Sequence, residues 1–147
     1  MVYFIPGLFS GPIHYLFGTY FVDQFEYLKK LDVKSEVVPL NSEKTLEENA
    51  EFIKNFLEDK DEVIFITHSK GGTDLLHAII TYPELHPKIK RVIFIQAPFF
   101  GTPLVRLIKK MAPIELLTKS VLKVLKGSWI SMDELSNIVK SIYTESK

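Results

Sequence analysis

Short apolar runs alternate with helical patterns through the first hundred residues. Val2–Ile5 is wholly apolar and stops at Pro6-Gly7, a strand meeting a turn. Residues 19–31 carry Phe21, Phe25 and Leu28 at the spacing of one helix face. Residues 33–39, containing Val37 and Val38, read as a second strand, and Asn41-Ser42 gives a turn. Thr45 and Glu48 stand three apart, the signature of a capping box, and Leu46, Ala50, Ile53 and Leu57 form the apolar face of the helix that follows. Residues 62–67 read as a third strand. Its unbroken run from Val63 to Ile66 predicts burial on both faces, as a parallel sheet requires. The pattern then predicts a helix over 71–82, with Leu75, Leu76, Ile79 and Ile80 inside, and a fourth buried strand over 91–95. After Pro103 no strand-like run remains. Residues 104–111, 114–126 and 131–143 read as helices, broken at Pro113 and at Gly127-Ser128.

Strand–helix alternation of this kind predicts an α/β fold, a parallel sheet of about four strands with flanking helices. The chain reads as one domain over 1–147, with a sheet core over 1–102 and a helical cap or tail over 103–147. Its 147 residues, 46% apolar and 24% charged, suit one globular domain and exclude a disordered chain. Eighteen basic residues balance eighteen acidic ones, which argues against a general nucleic-acid binder. The balance is uneven along the chain: ten basic against fourteen acidic before residue 103, eight against four after it. The absence of cysteine excludes a disulfide scaffold, a thiolate zinc site and a cysteine nucleophile. No metal-ligand or cofactor motif stands out, and no cofactor is expected. The opening residues lack the charged start, apolar run and small-residue cleavage site of a leader, so a cytoplasmic location is expected unless the N-terminus was trimmed.

The sharpest chemical feature is Thr67-His68-Ser69-Lys70-Gly71-Gly72, set between a strand and a helix. A nucleophile elbow needs this context, because a tight turn lifts the serine hydroxyl above the sheet. The positions two before and two after Ser69 must then be small. Gly71 meets that demand, and the compact Thr67 stands where glycine is usual. The same turn sets the backbone N–H of Lys70 at a helix N-terminus, where it can face a negative oxygen near Ser69. A second N–H is expected from the loop after the first strand, with Gly7 allowing the turn and Leu8 supplying the donor.

These blocks resemble the bacterial triacylglycerol lipases of the α/β-hydrolase superfamily. FIPGLFSGPIHYLFGTY (residues 4–20) is similar to their first strand and oxyanion loop, VIFITHSKGG (63–72) to their elbow, and VIFIQAPFFGTPL (92–104) to their next strand and its continuation. The resemblance covers residues 2–104 and implies the strand order second, first, third, fourth. It implies Ser69 as nucleophile, Leu8 and Lys70 as oxyanion N–H donors, and His68 as a neighbour of the nucleophile and not its base. Pro6 and Phe99 stand where those lipases have or often have histidine. The family's acid and base follow later strands, in the order Ser, acid, His. No such strands are seen after Ile95, so the chain is expected to be incomplete at its C-terminus, with acid and base lying outside it.

Of the other histidines, His77 falls on the helix after Ser69 and His86 in a loop expected at the opposite end of the sheet. His14, in the loop after Leu8, is the one substitute base the layout allows. Asp74 reads as a helix-start charge. Residues 103–126 hold six Lys/Arg against one Glu around an apolar stripe, so they are either a lid or lipid-interface contact or cap helices packed on the sheet or on a second chain. Two functions follow: a serine ester hydrolase of lipase or esterase type acting on an ester or lipid, or a non-catalytic hydrolase-like module binding an acyl ligand or partner.

Overall fold

The computed structural model describes residues 1–10, 20–124 and 127–136. Strand β1 (Val2–Ile5) is central, paired to β2 (Ser35–Val37) on one side and to β3 (Val63–His68) on the other; β4 (Ile89–Ile95) lies outside β3. All three pairings are parallel and the order is β2-β1-β3-β4, as the resemblance implied. Helix α1 (Val22–Lys30) follows β1, α2 (Leu46–Phe56) follows β2, and α3 (Lys70–Thr81) follows β3. Three further helices close the described chain: α4 (Pro103–Lys110), α5 (Ala112–Val124) and α6 (Trp129–Ser136).

The capping box forms as its spacing predicts: Glu48 N–H donates to Thr45 Oγ1 at 3.2 Å, and Thr45 N–H donates to Glu48 Oε2 at 3.1 Å. It orients α2 so that Ala50, Ile53 and Leu57 meet Tyr3, Ile5, Phe65 and Leu75 in the main core. Ile5, Ile53, Leu57, Phe65 and Leu75 each contribute roughly 1.5–3 kcal/mol on leaving water. On the opposite sheet face Phe4 packs between Phe21 and Phe25, both at 4.7 Å between ring centroids. A second cluster joins Val105, Leu122, Met132 and Leu135 of the last three helices to Leu8 and Phe9 of the loop after β1. The cap therefore rests on the segment that borders Ser69.

Several boundaries shift. The second strand keeps only Ser35–Val37. Pro113 does not separate helices but lies in the first turn of α5, where its missing N–H costs nothing. Residues 83–88, read as loop, form a 3-10 turn. The described part of the last predicted helix is Trp129–Ser136; residues 137–143 lie outside the described residues.

Burial is the larger correction. Residues of β3 alternate between buried and half-buried, because the face that α2 and α3 cover is closed and the other is not. Strand β4, expected to be buried, leaves Ile93 45% and Phe94 37% exposed. It is the sheet's edge among the described residues, and an apolar run cannot say whether another strand lies beyond it. A bulge between Val63 and Ile64 adds Lys90 to β4.

Candidate active site

The turn from β3 into α3 is as tight as the motif demands. Ser69 has φ 51° and ψ −125°, a left-handed backbone that costs a non-glycine residue of the order of 1–3 kcal/mol. Two hydrogen bonds hold it there: Ser69 N–H donates to Ile95 O at 3.0 Å and Gly72 N–H donates to Ser69 O at 3.0 Å. Gly71 is obligatory, because a Cβ there would sit 2.4 Å from Pro6 O and 2.5 Å from Ile5 O. Thr67 is fully buried and its hydroxyl donates to Ile93 O at 3.4 Å, so the threonine in glycine's place is absorbed by the neighbouring strand.

The first-strand loop lies directly against this turn. A Cβ on Gly7 would stand 2.9 Å from Ser69 Cβ. Gly7, Leu8, His68 and Ser69 line one cavity of about 320 Å³, completed by Tyr20 and Gln96 and roofed by Val105, Ile108, Met132 and Leu135 from the cap. Parallel strands bring their C-terminal ends to one edge, which is why Gly7 and Ser69, 62 residues apart in sequence, share a cavity. Lys70 opens α3 with its N–H in the first turn, and its side chain turns away from the cavity. His14 lies outside the described residues.

Sequence reasoning missed what lies beneath Lys70. Its ammonium is wholly buried and pairs with the equally buried Asp74, Nζ to Oδ1 at 2.6 Å. Asn49 of α2 donates to the other carboxylate oxygen at 3.1 Å. Asp74 is thus a buried counter-ion and not a solvated helix-start charge. The spacing of four between Lys70 and Asp74 was the available signal. Burial raises the Asp74 carboxyl to about 6, against the pull of Lys70, Asn49 and His77. The unfolded value is about 3.9, so this group's stabilisation is fully present below pH 4 and is lost as pH rises through 6. Urea unfolding should therefore show a gain of about 1 kcal/mol from Asp74 between pH 7 and pH 5, missing in Asp74→Asn. Glu134, half-buried and also raised by burial, accepts from Leu46 N–H at 2.9 Å and so ties α6 to the start of α2.

Among the described residues no histidine or carboxylate hydrogen-bonds the Ser69 hydroxyl. His77 is buried between helices and meets Glu47 at 3.1 Å, and His86 Nε2 donates to Ile79 O at 2.9 Å below the other end of the sheet. His68 borders the cavity but is held on both ring nitrogens, by Tyr20 Oη at 2.7 Å and Gln96 Oε1 at 3.0 Å. Neither partner stood out in the sequence, since each contact joins residues at least 28 apart.

Two solved structures share this architecture. A Bacillus licheniformis lipase in its mature form aligns with 99% of the chain at a TM-score of 0.71 and 20% identity. A metagenomic carboxyl esterase aligns with 72% at a TM-score of 0.63 and 24% identity. The fold is that of an α/β-hydrolase. The chain spans 58% of the lipase and 32% of the esterase, so much of each protein has no counterpart in it. A scan against models of protein families finds no match, and no curated protein matches by sequence. Within the α/β-hydrolase architecture, Ser69 occupies the strand-to-helix turn at the carboxyl edge of the sheet, the location at which open α/β sheets bind ligands.

Proposed function

We propose that this chain carries the nucleophile half of a serine ester hydrolase site of lipase or esterase type. The observation that carries the reading is Ser69, strained at φ 51° on a cavity wall, with the Gly7-Leu8 loop packed against it. In this reading Ser69 Oγ attacks an ester carbonyl, and the N–H groups of Leu8 and Lys70 receive the oxyanion. A donor of that kind is worth roughly 3–4 kcal/mol in comparable sites. The cavity is lined by apolar side chains of the cap, which suits an acyl group. Acid and base are assigned to polypeptide outside the described residues, with His14 the candidate within the chain. Exposed Leu107, Met111, Ile114, Leu116 and Leu117 beside basic residues support contact with a lipid interface through 103–126.

The test is covalent labelling. Nitrophenyl butyrate incubated with the 147-residue chain should acylate Ser69 slowly, seen by peptide mass spectrometry, with little or no turnover, because an unassisted serine is a weak nucleophile. The adduct should be absent in Ser69→Ala. Robust turnover lost in Ser69→Ala would place the base within the chain and make His14→Ala the next variant. Saturable fatty-acid binding with no adduct at Ser69 would instead favour the non-catalytic acyl-binding module.

A further inference from the structure

The cavity wall holds a chain of hydrogen bonds that the proposed reaction does not use. Tyr20 is half-buried, and its hydroxyl stands 2.7 Å from His68 Nδ1. The same hydroxyl packs against Gly7, where an added Cβ would stand 3.3 Å from it. On the far side His68 Nε2 meets Gln96 Oε1 at 3.0 Å. An amide oxygen can only accept, so Nε2 carries the imidazole proton and Nδ1 is the acceptor for the Tyr20 O–H. Both donors then point the same way: Tyr20 O–H to His68, His68 N–H to Gln96. Bonds aligned in this sense polarise one another.

The three anchored points matter more than the bonds themselves. Gly7 precedes Leu8, His68 precedes Ser69, and Gln96 directly follows β4. Gln96 and Ser69 share φ 51°, and Phe9, one residue past Leu8, has φ 60°. Strained residues persist only where their surroundings over-determine them. Here one phenol packs against Gly7 on the oxyanion side and bonds His68 on the nucleophile side, and no backbone–backbone bond joins Gly7 or Leu8 to the turn among the described residues. Pro6, which has no N–H and a side chain without polar atoms, cannot do this. We infer that Tyr20 is a positioning residue: through Gly7 and His68 it sets the Leu8 N–H against Ser69, with Gln96 holding the imidazole in the required tautomer.

This inference rests on the proposed serine hydrolase reading and deepens it. It can be tested without turnover by phenylboronic acid, whose boron takes the Ser69 oxygen, releases the serine proton to solvent and becomes a tetrahedral anion. Its oxygen would occupy the oxyanion position. Boron NMR reads the tetrahedral adduct, and benzyl alcohol, neutral and of similar size, reads the cavity alone. Tyr20→Phe keeps the ring and removes the hydroxyl. It should weaken the boronate about tenfold, part of the roughly 100-fold or more lost when an oxyanion donor is deleted, and leave benzyl alcohol within twofold. Gln96→Leu should weaken the boronate in the same sense, with nitrogen NMR of His68 showing loss of the single tautomer. Equal weakening of both ligands by Tyr20→Phe would mean that the phenol only shapes the cavity and overturns the inference, as would an unchanged boronate affinity. If wild type forms no tetrahedral adduct, or Ser69→Ala forms it equally well, the hydrolase reading itself fails. That outcome is distinct from either of the others.

Discussion

Asp74→Ala is expected to destabilise the protein by about 3–5 kcal/mol, the range seen when one member of a buried ion pair is removed. The loss comes less from the missing attraction than from what remains. The Lys70 ammonium has no exposed surface, and Asp74 Oδ1 at 2.6 Å is its charged partner. Without that carboxylate it must keep a charge away from water, give up its proton, or drag the start of α3 outward. Against a typical total stability of 5–15 kcal/mol the effect is a large fraction. Urea titrations at pH 7 would show the midpoint fall with little change of slope. The double variant Lys70→Met/Asp74→Leu should recover most of the loss, since apolar replacement of both partners is often neutral. A single variant within 1 kcal/mol of wild type would mean that Lys70 reaches solvent or another carboxylate.

Gly71→Ala should lower stability by roughly 3 kcal/mol or more, the upper range of overpacking costs. The sign is the informative part. Within a helix, alanine ordinarily gains about 1 kcal/mol over glycine. At Gly71 the added carbon would stand 2.4 Å from Pro6 O and 2.5 Å from Ile5 O, and no rotamer moves a backbone carbonyl. Either α3 lifts from the end of β1, which opens the turn at Ser69, or the chain unfolds. Thermal denaturation would register the first as a lowered midpoint with altered boronate binding and the second as loss of the cooperative transition.

How much of this was legible in the sequence follows the range of each interaction. The capping box, the tight turn and the need for glycine at 71 are set by residues a few positions apart, and strand–helix alternation specifies parallel pairing through crossover handedness. The strand order came from the resemblance to lipases. What the sequence did not reveal is pairing across long separations. Asn49 meets Asp74 and Tyr20 meets His68 with no periodic trace of either contact. The fourth strand failed for another reason. Its apolar run predicts burial, yet Ile93 and Phe94 remain exposed because hydrophobicity records what a strand can bury and not what is there to cover it.

That strand, the sheet's edge among the described residues, bears on how the protein behaves as a substance. Seven residues, Ile89–Ile95, present their outer backbone groups with apolar side chains on both faces, among the described residues with only Lys90 and Arg91 to discourage pairing. Such an edge recruits any extended chain, including the same strand of another molecule, so the concentration at which solutions stay clear should be set there and not at the cap or the cavity. Salt that screens Lys90 and Arg91 should lower that concentration.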